Sequence, residues 1–418
     1  MKHVVLLALL AGCPTPQIGT IDLGLTTAPG STLLDSVERL RVTLTRPLQV
    51  VEANRSADGF DIALDVEATG ESGSIIVEGF DANGLPIAVG QSPEFGVAAL
   101  DARVVVYMSV PLGVARAPVS LLPARANVAG DRLSTGVIFA GGRDVVTSAP
   151  SDAIAFYNAF DHALVGGKAM PAARDGVTVV TGGGGIVTLF GGRDAAANPT
   201  GTYWLLDSNF APGAYLEVGD FPGFARADEV ALTIAPDTFV ISGTPPLDVH
   251  SRTVAARTDL AGLARTSATF VTAAGVRTGL TLDTTGRLVR FHDAMFEFLA
   301  PSRFGGAVAA LPDGRFIVVG GGTADESNDV LIVDASGTVS TVSDVLAAPR
   351  IDAHVAVTRR HIVITGNPIE ILDAATLTPV ATRDPLEGLP FALPNDQVLI
   401  IDTTNGELSL FTPPPTGV

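Results

Sequence analysis

The 418-residue chain is 47% hydrophobic and only 17% charged, enough apolar material for large cores and too much for global disorder. Its net charge of −18 argues against a nucleic-acid partner, because a phosphate backbone calls for clustered cations; a soluble acidic surface accounts for the balance. Gly (45) and Pro (28) punctuate short runs of Val, Ile, Thr and Leu, and 3.6-residue periodicity is scarce, so the composition reads as all-β with many turns.

The chain opens with MKHVVLLALLAGC. Lys2 supplies a positive start, and Val4 to Leu10 form an apolar stretch far short of the roughly 20 residues that span a bilayer. Leu10-Ala11-Gly12 then precede Cys13, the only cysteine. This arrangement resembles the lipobox of bacterial lipoproteins. The resemblance implies cleavage before Cys13, acylation of its thiol and new amino group, and anchorage in the bacterial cell envelope. Pro14 in place of an Asp implies the outer membrane. Several acyl chains anchor stably where one would be marginal. With Cys13 committed to lipid no disulfide forms, so stability rests on core burial. An ordinary export signal and a buried first strand are the alternatives.

Residues 14–113 read as a small β-sandwich. Strands are expected at 20–25, 39–46, 60–66, 74–81, 85–91 and 102–110. Leu40, Val42 and Leu44 alternate with Arg39, Arg41 and Thr43, a period of two that predicts antiparallel sheets with one buried face. Asp81-Ala82-Asn83-Gly84 supplies a turn. By pattern the domain resembles immunoglobulin-like modules, although the Cys–Trp–Cys core is absent. PLGVARAP (111–118) reads as a linker.

A repeat follows over 114–413. VIFAGGRD (137–144) returns almost unchanged as VTLFGGRD (187–194), and an arginine opens each unit at 125, 174, 226, 265, 303 and 350. Each unit runs strand, turn, strand ending in Gly-Gly, loop, strand ending in Asp or Asn, strand. Four strands in about 40–50 residues predict a β-propeller. The units resemble kelch repeats, best at GGAVAAL–VSTVSD (305–344), and this implies a kelch-like propeller of seven blades, with six the alternative. The last unit has only three strands, so VSLLP (119–123) is expected to complete it and seal the ring; 414–418 is a flexible tail.

Strand parity puts the loops after second and fourth strands on one face: 143–152, 193–202, 244–252 and 323–329. Loops on a rigid scaffold favour recognition. The candidate binding residues there are Arg143, Asp144, Arg193, Asp194, Asp325 and Glu326; the plainer reading is that these are turn residues, each Arg pairing with its neighbouring Asp inside a blade. The six arginines Arg125, Arg174, Arg226, Arg265, Arg303 and Arg350 form a candidate axial ring that either binds an anion or, more simply, braces adjacent blades. The six His residues show no metal-ligand spacing, and HExxH, GxSxG and a complete phosphate loop are absent. Kelch-type copper oxidases need a Cys–Tyr crosslink for which no Cys remains. No cofactor or metal is expected. The sequence therefore reads as a lipid-anchored, monomeric binding or scaffolding protein that recognises a protein or glycan. A glycan-processing enzyme with its site at the axis is the alternative, and a pure spacer a third.

Overall fold

The computed structural model describes residues 18–415 apart from 58–59, 61, 63, 68–69, 98–102, 210–211, 251–252, 274, 294 and 323–326. Among these the chain is all-β, with three short 3-10 turns, and no helix is long and apolar enough to cross a membrane. Cys13 lies outside the described residues, as do Asp325 and Glu326.

Two sheets form the N-terminal domain. One contains Arg39–Thr45 flanked by Leu48–Asn54 and Ile75–Phe80, with Pro86–Gln91 at the edge. The other contains Ile18–Thr26 between Leu64–Glu67 and Arg103–Tyr107. Leu40, Val42, Leu44, Ile75 and Val77 point inward and meet Ile21, Val104 and Val106 from the facing sheet. Arg39 and Arg41 point outward, share Glu52 and cover the Phe80 ring. Two expectations need correction. Asp22–Thr26 pairs in parallel, not antiparallel, with Arg103–Tyr107. Leu48–Asn54 is a strand absent from the expected set: Arg46-Pro47 forms the turn of a hairpin in which Thr45 pairs with Leu48.

Seven further four-stranded antiparallel sheets fill the described residues from Gly113 to Thr412. Six are built from consecutive strands. Blade 1 contains Ala129–Leu133, Gly136–Ala140, Ile154–Asn158 and Ala163–Gly166; blade 2 runs from Thr178–Thr181 to Ala214–Asp220. Blades 3 to 6 open with Ala231–Ala235, Leu263–Val271, Ala307–Ala310 and His354–Val357. The first strand of each sheet lies against the first strand of the next, and that of blade 7, Leu389–Ala392, lies against that of blade 1. This is a closed ring with the first strands innermost, a β-propeller.

Burial follows the same geometry. Each gap between neighbouring blades holds its own apolar cluster. Ile138 and Ile154 of blade 1 meet Leu189 and Trp204 of blade 2, and Leu399 and Leu410 of blade 7 meet Val137 and Phe139 of blade 1. A four-stranded sheet cannot bury both faces alone, and radial stacking is what buries them.

Closure differs from expectation in its strand. Gly113–Arg116, read as linker, is the outer strand of blade 7 and pairs antiparallel with Leu408–Thr412, Gly113 opposite Thr412 and Arg116 opposite Ser409. Residues 119–123 form no strand; they return from the rim toward the axis, and Leu121 is buried beside Val128 and Leu408 between blades 7 and 1. The sequence misled because Val119-Ser120-Leu121-Leu122 looks more like a strand than Gly113-Val114-Ala115-Arg116 does.

The sandwich docks on one face of the ring, where the tight turns joining first to second and third to fourth strands lie. Asn395 and Gln397, in such a turn of blade 7, are buried and donate to the carbonyls of Gln91 (3.0 Å) and Tyr107 (3.4 Å). Arg359 of blade 6 reaches Glu94 at 3.1 Å. In blade 1 the Phe160 carbonyl accepts from Val105 N–H at 2.8 Å, and His162 sits between Tyr107 and Tyr157.

Candidate functional site

The face opposite the sandwich carries the second-to-third-strand loops. They are long in blades 1 and 2, where they span 141–153 and 191–201, and short in blade 3, where 242–246 suffices; 247–250 of the expected 244–252 loop is already strand. Gly-Gly opens the long loops for a physical reason. Gly141, Gly142, Gly191 and Gly192 all have positive φ, where side chains are strained. The second glycine donates to the next blade: Gly142 to the Arg174 carbonyl at 3.0 Å, Gly192 to that of Arg226 at 2.9 Å.

The opening arginines thus have their backbones tied to the blade before them. Their side chains turn into their own blade. Arg125, fully buried, donates to the carbonyls of Gly141 (2.6 Å) and Ala153 (2.8 Å). Arg174 reaches Thr200 (3.1 Å) and covers Trp204; Arg226 donates to Ser242 (2.6 Å) and Pro245 (3.1 Å). Arg303 approaches Asp329 at 3.7 Å, and Arg350 binds Glu370. These five guanidiniums face the blades, not the axis, which corrects the axial anion ring. Arg265 departs from the pattern. It lies inside the first strand of blade 4, its side chain 58% exposed and 3.6 Å from Glu229, and Leu263 takes its place in the backbone tie to Gly243.

The Arg-Asp pairs are corrected too. Arg143 and Asp144 do not pair, nor do Arg193 and Asp194. Asp144 caps the amides of Val146 (2.9 Å) and Thr147 (2.7 Å), and Asp194 those of Ala196 (2.9 Å) and Asn198 (3.0 Å). The arginines cross to the following blade. Arg143 binds Asp175 at 2.6 Å, and Arg193 binds Asp228 and stands 3.9 Å from Asp175. Asn127 completes the group, donating to Asp175 (2.8 Å) and to Asp228 (3.1 Å). Blade 1 touches blade 3 here, which places the cluster at the mouth of the ring. Burial raises the Asp228 carboxyl, but the bonds from Arg193 and Asn127 outweigh it and hold the group below the usual carboxylate range.

Asn127, Asp175 and Asp228 were missed in the sequence, although for Asn127 and Asp228 a signal existed. Two residues after the opening arginine stands Asn127, Gly176, Asp228, Gly305 or Asp352, and every one has positive φ. Asp228 N–H donates to the Gly176 carbonyl and Asp352 N–H to that of Gly305, both at 2.8 Å, so this position links blade to blade around the mouth.

No three His, Cys, Asp or Glu side chains converge among the described residues. His162 is buried, with Nδ1 2.6 Å from the Tyr157 hydroxyl; His250 bonds Thr238 at 2.6 Å and His292 approaches Asp293 at 3.0 Å.

No protein-family model and no curated protein matches the chain. Among solved structures it is similar to a fungal alcohol oxidase of the AA5 family determined in complex with copper. The TM-score is 0.50 and the identity 11%, over 72% of this chain and 76% of that one. At that identity the likeness is one of fold: an all-β, propeller-type protein. Among the described residues no cluster of His, Cys, Asp or Glu fits a copper centre.

Proposed function

We propose that the protein is a lipid-anchored envelope protein that holds a kelch-like propeller away from the membrane and uses its free face to recognise a partner. One observation carries this reading: the sandwich occupies the tight-turn face, so among the described residues nothing covers the loop face and the mouth on the opposite side. Ile18–Thr26 and Arg103–Tyr107 run in parallel, and the latter leads directly to the closing strand. Ile18 therefore stands at the end of the sandwich away from the ring, five residues after Cys13. Acyl chains on Cys13 would set the propeller about 30 Å out, the length of a nine-residue strand. The mouth carboxylates Asp175 and Asp228 are engaged by arginines, which leaves neither free to act as an acid or base.

A photocrosslinking amino acid placed at Val146 or Ala197, on the loop face, or at Thr376, on a tight turn of blade 6, tests the reading on intact cells. A discrete adduct is expected from 146 and 197 and none from 376, and Cys13→Ser is expected to release the protein from the membrane fraction. Equal labelling at all three positions, or membrane retention of the variant, would contradict it.

A further inference from the structure

We propose that the mouth of the ring at blades 5 and 6 is a docking seat for an extended protein segment that carries an apolar side chain next to a lysine or arginine. The inference rests on the functional reading above and names its partner's chemistry.

The argument is a comparison of one position across the repeat. The residue directly after the opening arginine is Ala126 in blade 1, Asp175 in blade 2 and Ala227 in blade 3. Asp175 and Ala227 are 4% and 8% exposed. In blades 5 and 6 the same position holds Phe304, 54% exposed, and Ile351, 43% exposed. The fold asks for nothing large here, since Ala126 and Ala227 serve it. Two large apolar side chains nevertheless stand exposed at this position in neighbouring blades. Ile351 packs over Gly305, the neighbour of Phe304, and Asp352 is tied to that glycine's carbonyl. Exposed apolar contacts on a fixed backbone are what a recognition surface offers.

The seat is also rigid and charged on one side. Arg350, directly before Ile351, is locked on Glu370 and the carbonyls of Thr365 and Pro368. Asp352 and Glu387 are exposed, and both lie within electrostatic reach of His354. The arginines of these blades are engaged: Arg350 with Glu370, Arg303 beside Asp329, and Arg383 on the Leu112 carbonyl. An apolar pair flanked by carboxylates that make no ion pair among the described residues complements a hydrophobic side chain followed by a cation. The paired ionic half of the mouth, at blades 1 to 3, offers no such surface.

The test uses the full exported chain with Cys13→Ser and three fluorescein-labelled twelve-residue peptides, built of Leu and Lys, of Ser and Lys, and of Leu and Glu, each spaced with Ser. Fluorescence anisotropy at physiological salt is expected to give the Leu/Lys peptide at least about tenfold tighter binding than either other peptide. Phe304→Ser with Ile351→Ser is expected to remove that advantage. Asp352→Asn with Glu387→Gln is expected to weaken binding about three- to tenfold and flatten its salt dependence. Leu216→Ser with Val218→Ser, exposed on the outer strand of blade 2 and away from the seat, is expected to change nothing. All these side chains are exposed, so unchanged melting temperatures establish that the variants fold. Equal binding of the Leu/Lys and Ser/Lys peptides would overturn the proposal, as would indifference to Phe304 and Ile351 or displacement of the peptide by a neutral hexasaccharide. Crosslinking at 146 and 197 does not depend on these side chains, so the seat fails separately from the wider reading.

Discussion

Arg350→Ala is expected to destabilise the propeller by about 3–5 kcal/mol, the cost of leaving a buried charge without its partner. Arg350 and Glu370 are both almost fully buried, and Glu370 also accepts from Ala347 N–H at 2.6 Å. Removing the guanidinium strands that carboxylate, together with the carbonyls of Thr365 and Pro368. The melting temperature should fall by roughly 10 °C, at the few degrees per kcal/mol usual for a domain of a few hundred residues. Two controls separate charge from volume. Arg350→Met with Glu370→Leu should restore the part of the loss that comes from the unpaired charge, while the Ala347 N–H and the carbonyls of Thr365 and Pro368 stay without partners. Arg265→Ala, at the exposed member of the series, should change stability by less than about 0.5 kcal/mol. A negligible loss at Arg350 would show that the opening arginines do not brace the blades, and a large one at Arg265 would show that burial does not decide which of them matter.

The second large effect is expected on acidification. His162 is buried at the joint between sandwich and ring, where Nε2 accepts Tyr107 N–H at 3.3 Å and Nδ1–H donates to the Tyr157 hydroxyl. Both ring nitrogens are thereby used by the neutral imidazole. A second proton on Nε2 would point at an N–H donor. Burial pushes the group down to about 4 from its ordinary 6.5. Between those values the unfolded chain binds a proton that the folded chain refuses, so stability rises with pH across the window and falls as pH drops through it. The loss by pH 4 is about 3 kcal/mol from this residue. His361, buried against Phe411, is also pushed down by burial and adds with the same sign. Denaturant unfolding at pH 7, 6, 5 and 4 is expected to give this slope. His162→Gln is expected to be less stable at pH 7 and flatter below it. A wild-type curve that is level from pH 6.5 to 4.5 would refute the assignment.

Much of this architecture was legible in the residues because a strand's period and a propeller's repeat are local. The alternation of Leu40, Val42 and Leu44 and the repeated Gly-Gly at 141–142, 191–192 and 320–321 each need only a few neighbours to be interpreted. The departures lie where the determining contact is distant. Arg143 was read with Asp144 because they are adjacent, yet its partner, Asp175, belongs to the next blade. Nothing within a single unit shows that Gly113-Val114-Ala115-Arg116 answers Leu408–Thr412, because that pairing is set by where the ring ends. Phe304 and Ile351 gave no signal as isolated apolar residues. They became informative only when the fold aligned them with Ala126, Asp175 and Ala227.

The account depends on a ring sealed by a strand from its beginning. Arg116 and Ser409 face each other in that pairing, at a distance from which two cysteines join without backbone movement. In a chain carrying Cys13→Ser, Arg116→Cys and Ser409→Cys, mild oxidation is expected to form the disulfide completely in the folded protein. A pair that stays reduced, while Ser120→Cys with Ser409→Cys closes readily, would place the seal at 119–123 and contradict the structure described.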